Sequence, residues 1–127
     1  MTAPFSIVAE PGKHRLLLTL TGFWIVETVA QYALSLRAAM VSLQREIGRF
    51  GILSDASAMP VQSREVAGAQ ARMVVDLPGF NAPTAILVDQ MLNKMQADRM
   101  AGDFAAVRAF RDRGEAEAWL AQRIDQP

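Results

Sequence analysis

Apolar positions along this chain change their period several times, and each change marks the edge of an element. Phe5-Ser6-Ile7-Val8-Ala9-Glu10 alternates as a strand does. Pro11-Gly12 supplies a turn, and Arg15 to Thr21 reads as the returning strand of a hairpin. Leu16, Leu18 and Leu20 share one face of it while Leu17 and Thr19 share the other, which predicts cover on both sides. Gly22 ends the run. Ile25, Val29, Tyr32, Leu36, Met40, Leu43 and Ile47 then recur at separations of three or four, forming one long helical stripe that Gly48 stops. That stripe is the expected main clamp on the sheet.

Gly51 to Ala56 is short and largely apolar, as a buried strand is. Pro60 interrupts the connection, and a helix is expected from Ser63 or Arg64 to Leu77, with Ala67, Ala71, Met73 and Val74 packing, before Pro78-Gly79 breaks it. Pro83 to Val88 predicts a fourth strand. Met91, Leu92 and Met95 open a third helix ending near Gly102, and Ala105 to Phe110 is the last strand. Asp112 and Glu115 stand three apart, the spacing of a capping box, and Ala116, Trp119, Leu120 and Ile124 give the final helix its apolar face. The expected fold is α/β: an initial β-hairpin feeding a mainly parallel five-stranded sheet with four covering helices, in the order β-β-α-β-α-β-α-β-α.

Composition narrows what such a fold does. A length of 127 residues suits one domain spanning 1–127, and 51% hydrophobic residues can fill its core. Thirteen basic and thirteen acidic residues cancel, so nucleic-acid binding is not expected; the arginines 108, 111 and 113 read as solvated edge charges. Without cysteine there is no disulfide and no thiolate chemistry. The N-terminus lacks the pattern of a secretory signal, and Leu16 to Leu20 falls far short of the about 20 apolar residues a membrane span needs. The expectation is a cytoplasmic protein without stable membrane insertion.

Two stretches bring a family into view: Leu53-Ser54-Asp55-Ala56-Ser57, and the run from Val107 to Leu120 that joins an aromatic strand end to an acidic, alanine-rich helix containing Trp119-Leu120. With Leu92, Gln96 and Arg99 in the helix between them, the chain resembles, over almost its whole length, the SpoIIAA-like proteins, related to STAS domains and described as STAS/SEC14-like. The resemblance implies a STAS-like fold and a regulatory, protein-binding role. In STAS anti-sigma-factor antagonists a serine after an acidic strand end is phosphorylated and alters binding to a kinase-like partner. Asp55 resembles that aspartate, and Ser63 falls near the serine. Gln62-Ser63-Arg64 departs from the family's acidic-serine-serine-glycine pattern, and Ser63 is better suited to an ordinary N-cap than to a regulated phosphosite.

The remaining chemistry is sparse. Asp55 and Asp89 both fall near strand ends, where open α/β sheets place ligands, and convergence would let them hold a cation or divide acid and base roles. His14, in the hairpin turn, has neither metal-ligand spacing nor a partner set for Ser54, Ser57 or Ser63. No glycine-rich phosphate motif is present. No catalytic residue, metal ligand or cofactor is therefore assigned. The leading expectation is a non-enzymatic interaction or regulatory domain that meets an unidentified protein through Asp55, Ser57, Met59, Ser63 and Phe80. The first alternative is a module for a lipid or small apolar ligand, its cleft lined by Phe23, Trp24 and Phe80, although Phe23 and Trp24 also suit core closure. The second is a metal-assisted enzyme. A homo-oligomer through the long first helix and the small residues Ala67 and Ala71 stays open beside these.

Overall fold

The structure, a computed structural model, describes residues 3–76, 82–89, 94–95, 98 and 106–124. The hairpin forms as its alternation dictates. β1 (Phe5–Glu10) pairs antiparallel with β2 (Arg15–Thr21), Ile7 opposite Leu18. Pro11–Lys13 winds into a 3-10 turn instead of a two-residue loop, and His14 closes it in the left-handed region at φ 52°. β2, β3 (Gly51–Ala58), β4 (Thr84–Leu87) and β5 (Val107–Phe110) then run parallel, giving a mixed five-stranded sheet in the order β1-β2-β3-β4-β5.

Three α-helices lie within the described residues: α1 (Val26–Ile47), α2 (Arg64–Asp76) and α3 (Arg113–Ile124). The further helix expected after Asp89 falls largely outside them; Lys94 pairs with Asp98 at 2.8 Å, one helical turn apart. α1 lies across β1 and β2 and packs on α2, while α3 covers β3, β4 and β5 on the opposite face. Period-two alternation divides the strands between two cores. Leu16, Leu18, Ile52, Ile86 and Ala109 join the α1 and α2 side with Val29, Tyr32, Leu36, Met40 and Leu43. Leu53, Ala85 and Phe110 join Ala116 and Leu120 under α3. β2 is fully covered on one side only, because Leu17 is half-buried and Thr19 exposed on the other.

Two helix readings need correction. Ile25 continues the four-residue spacing of the stripe, yet it is 62% exposed, since its extended backbone (φ −112°, ψ 168°) places it just before α1. Among the described side chains of α2, Val66 and Ala69 are buried, Ala67 and Met73 are half-buried and Ala71 faces water, while the side chain of Val74 lies outside the described residues. Helix ends follow their chemistry. Gly48 stops α1 at φ 78°, ψ −118°, a conformation open to glycine, and its N–H donates to the Gln44 carbonyl. Asp112 caps α3 by accepting the Glu115 N–H at 2.9 Å, the one half of the expected capping box that forms.

Arg15, which reads as a polar strand start, is buried at 6% exposure. Its guanidinium donates to Glu10 at 2.8 Å and, across the sheet face, to Glu117 of α3 at 3.0 Å. Burial works against its charge, but the bonds to the two carboxylates outweigh that and raise its pKa; the same bond from Arg15 lowers that of Glu10. A carboxyl depressed in the folded state stabilises above its unfolded pKa and loses that contribution as pH falls through the folded value. The stability lost on Glu10→Gln should thus be constant above about pH 5 and shrink on acidification below it, as read from denaturation midpoints across pH.

Gly51 sets how closely α3 can approach. A Cβ there would meet Leu120 Cδ1 at 2.8 Å and Ile124 Cδ1 at 2.9 Å. Gly51→Ala should cost about 1 kcal/mol and Gly51→Val about 2–3 kcal/mol in urea denaturation. The α3 side would loosen first in hydrogen exchange.

Candidate functional site

The carboxyl ends of the parallel strands carry the chemistry at one edge of the sheet. Asp55 lies late in β3 on the α3 side, its side chain 20% exposed. Its Oδ1 accepts both the Ser57 N–H at 3.0 Å and the Ser57 hydroxyl at 2.6 Å. Its Oδ2 faces Arg113 at 3.5 Å, at the start of α3, and Arg113 also stands 3.8 Å from Glu117. Both carboxylate oxygens of Asp55 are thereby engaged. Asp89, two residues beyond β4, is held through its backbone carbonyl, which accepts from Arg111 at 3.3 and 3.4 Å. The two aspartates are gathered to the same edge but tied to different arginines. Among the described residues no group of three or more metal-ligating side chains forms.

Ser63 is the cap of α2. Its Oγ accepts the Val66 N–H at 3.2 Å, and its carbonyl accepts that of Ala67. Met59, expected at the partner-facing edge, is instead buried at 8% in the core beside α1. The chain turns inward there, with the Met59 N–H donating to the Ala56 carbonyl. Phe80 lies outside the described residues.

The adjacent aromatics Phe23 and Trp24 part company. Trp24 is buried at 5% exposure and packs with Phe5 and Tyr32, the three ring centroids 5.1 to 5.9 Å apart. Its indole N–H donates to the Thr21 carbonyl at 3.0 Å. Burial in this cluster pushes the Tyr32 phenol pKa upward. Trp24 therefore closes the core. Phe23 does the reverse of core closure: it is 79% exposed, next to the 62% exposed Ile25.

What holds this pair in water is Gln62, a residue that neither periodicity nor motif singles out. Gln62 is buried at 7% exposure. Its Oε1 accepts the Trp24 N–H at 2.8 Å, while its Nε2 donates to the Gly22 carbonyl at 3.1 Å and the Pro60 carbonyl at 2.7 Å. One amide thus joins the loop after β2 to the loop after β3. The only signal was a polar residue two positions after a proline, and two of its three partners lie 38 and 40 residues away. Gln62→Leu should strand the buried Trp24 N–H, costing about 2–3 kcal/mol in urea denaturation, with faster hydrogen exchange at Trp24 than at Leu53.

Comparison with protein-family models and with curated proteins finds no match. Among solved structures, the chain is similar to the crystal structure of an uncharacterised protein of the DUF3478 family with a SpoIIAA-like fold, from Shewanella loihica PV-4. The two superpose with a TM-score of 0.67 over 91% of each chain at 18% sequence identity. This chain accordingly has a SpoIIAA-like α/β fold.

Proposed function

We propose that the chain is a non-enzymatic, cytoplasmic interaction domain with a regulatory role, and that its contact surface is the edge formed by the loops after β2 and β3. One observation carries the reading: Phe23 and Ile25 stand 79% and 62% exposed on a loop that buried Gln62 anchors. Apolar side chains held in water by a built bracket are typical of contact surfaces, because their shape is set before a partner arrives. Ser57, near the end of β3, and Ser63, at the end of the loop that follows it, add exposed polar groups beside this edge. The partner is a protein with an apolar pocket for Phe23. Consistent with this, the carboxylate of Asp55 is committed to Ser57 and Arg113, which suits a structural role better than proton transfer. No helix among the described residues is long and apolar enough to cross a membrane.

Phe23→Ser combined with Ile25→Ser should leave the thermal midpoint within a few degrees, since neither side chain fills the core. The doubly substituted protein should lose roughly tenfold or more in affinity for whatever protein co-purifies with the wild type. Val8→Thr, an exposed change on β1, serves as the control and should retain binding. Equal retention by the double variant would overturn the reading. So would native mass spectrometry showing a lipid or metabolite bound to the purified wild type in place of any protein.

A further inference from the structure

Helix α1 turns one stripe, centred on Leu36, into the core, and carries a second apolar ridge on the opposite side. Glu27, Ala30, Leu34, Ala38, Val41 and Arg45 follow one another at spacings of three or four, so they line up along the outward face. Leu34 is 73% exposed. An open groove of about 660 Å³ runs from it past Ala38, Val41 and Ser42 to Arg45. The ridge is apolar in the middle and oppositely charged at its ends, with Glu27 in the first turn of the helix and Arg45 in the last. Neither of these two charges has an ion-pair partner among the described residues.

We infer that this face is a dimer interface whose occupant is α1 of a second copy, packed antiparallel about a two-fold axis beside position 36. In a two-fold antiparallel helix pair, the numbers of facing residues add to a constant. A sum of 72 sets Glu27 against the partner's Arg45, Ala30 against the partner's Ser42, and Leu34 against the partner's Ala38. Each pairing occurs twice. The bulky Leu34 meets a small residue on the other helix, small side chains let the axes approach between Leu34 and the helix ends, and both termini gain an ion pair. A parallel arrangement in register would oppose glutamate to glutamate and arginine to arginine. The face is thus complementary to its own inverted copy, which singles out a second copy of this chain over an unrelated partner. The surface lies on α1 and is separate from the Phe23 edge, so the two interactions can be tested independently.

Sedimentation velocity over a wide concentration range reads the assembly directly. The wild type should show a concentration-dependent monomer–dimer equilibrium. Leu34→Glu, at an exposed position, should keep the circular dichroism spectrum and raise the dimer dissociation constant roughly 30-fold or more. Glu27→Arg alone should weaken the dimer about tenfold by opposing like charges, and Glu27→Arg with Arg45→Glu should restore it by exchanging both signs. A wild type that stays monomeric throughout overturns the inference. So does a dimer indifferent to Leu34→Glu, or one that the double exchange fails to recover.

Discussion

β3 is the strand from which the rest takes its position, because it is buried on both faces at once. Ile52 and Ala56 point into the core beneath α1 and α2, and Leu53 points into the core beneath α3; none of the three exceeds 7% exposure. Shifting this strand by one residue would exchange every side chain between the cores, and the two are not interchangeable. One accepts long side chains under a 22-residue helix. The other is thin enough at Gly51 that a single added carbon would touch Leu120 and Ile124. With the register fixed in this way, Asp55 must emerge on the α3 side, next to the start of that helix, and the chain must leave the sheet toward Gln62.

Beyond the strand ends, order depends on side chains that bind backbone instead of on hydrophobic contact. Gln62 ties two loops together, Asp55 holds the chain at Ser57, Ser63 starts α2 and Asp112 starts α3. Each supplies a partner to a backbone group that helix or sheet leaves unmatched. This explains how an edge built from loops can display Phe23 and Ile25 without those residues packing inward. Trp24 contributes from beneath, since its ring is locked among Phe5 and Tyr32 while its own N–H belongs to Gln62.

Periodicity made the strands and helices legible because each hydrophobic face is long compared with the errors at its ends. The bounds of β1, β2, α1 and α2 fall within a residue or two of the expected ones. Spacing alone could not show where a helix begins. Ile25 sits four residues before Val29 whether or not the backbone there is helical, and only the extended dihedrals separate the cases. Nor could it show which of two neighbouring aromatics turns inward: Phe23 and Trp24 are equivalent as apolar residues, and the choice is made by Thr21 and Gln62 through hydrogen bonds. Met59 differs from its expected exposure for a related reason, as a loop residue reads as exposed unless something draws the loop into the core. At the site itself, Asp55, Ser57 and Ser63 were visible as polar residues at a strand end and helix start, whereas Gln62 was not.

Arg15 marks the furthest reach of what spacing cannot express. Its second carboxylate partner, Glu117, lies 102 residues along the chain. A buried guanidinium is costly unless its charge is met, so its position requires α3 to deliver a glutamate to this place on the sheet. Glu117 is one helical turn from Arg113, and Arg113 is in turn the cation that faces Asp55. The charges of Glu10, Arg15, Glu117, Arg113 and Asp55 therefore alternate in sign from the hairpin turn to the carboxyl edge, without a like-charged neighbour along the line. Apolar packing fixes the distance of α3 from the sheet through Gly51, where Leu120 and Ile124 seat against the strand. The alternating charges reinforce that fit, because a slide of one turn would bring Arg113 to Arg15 and leave Asp55 without a cation. Hydrophobic burial thus sets the separation of the layers, and the pairing of buried Arg15 with Glu117 favours one register of α3 on the sheet.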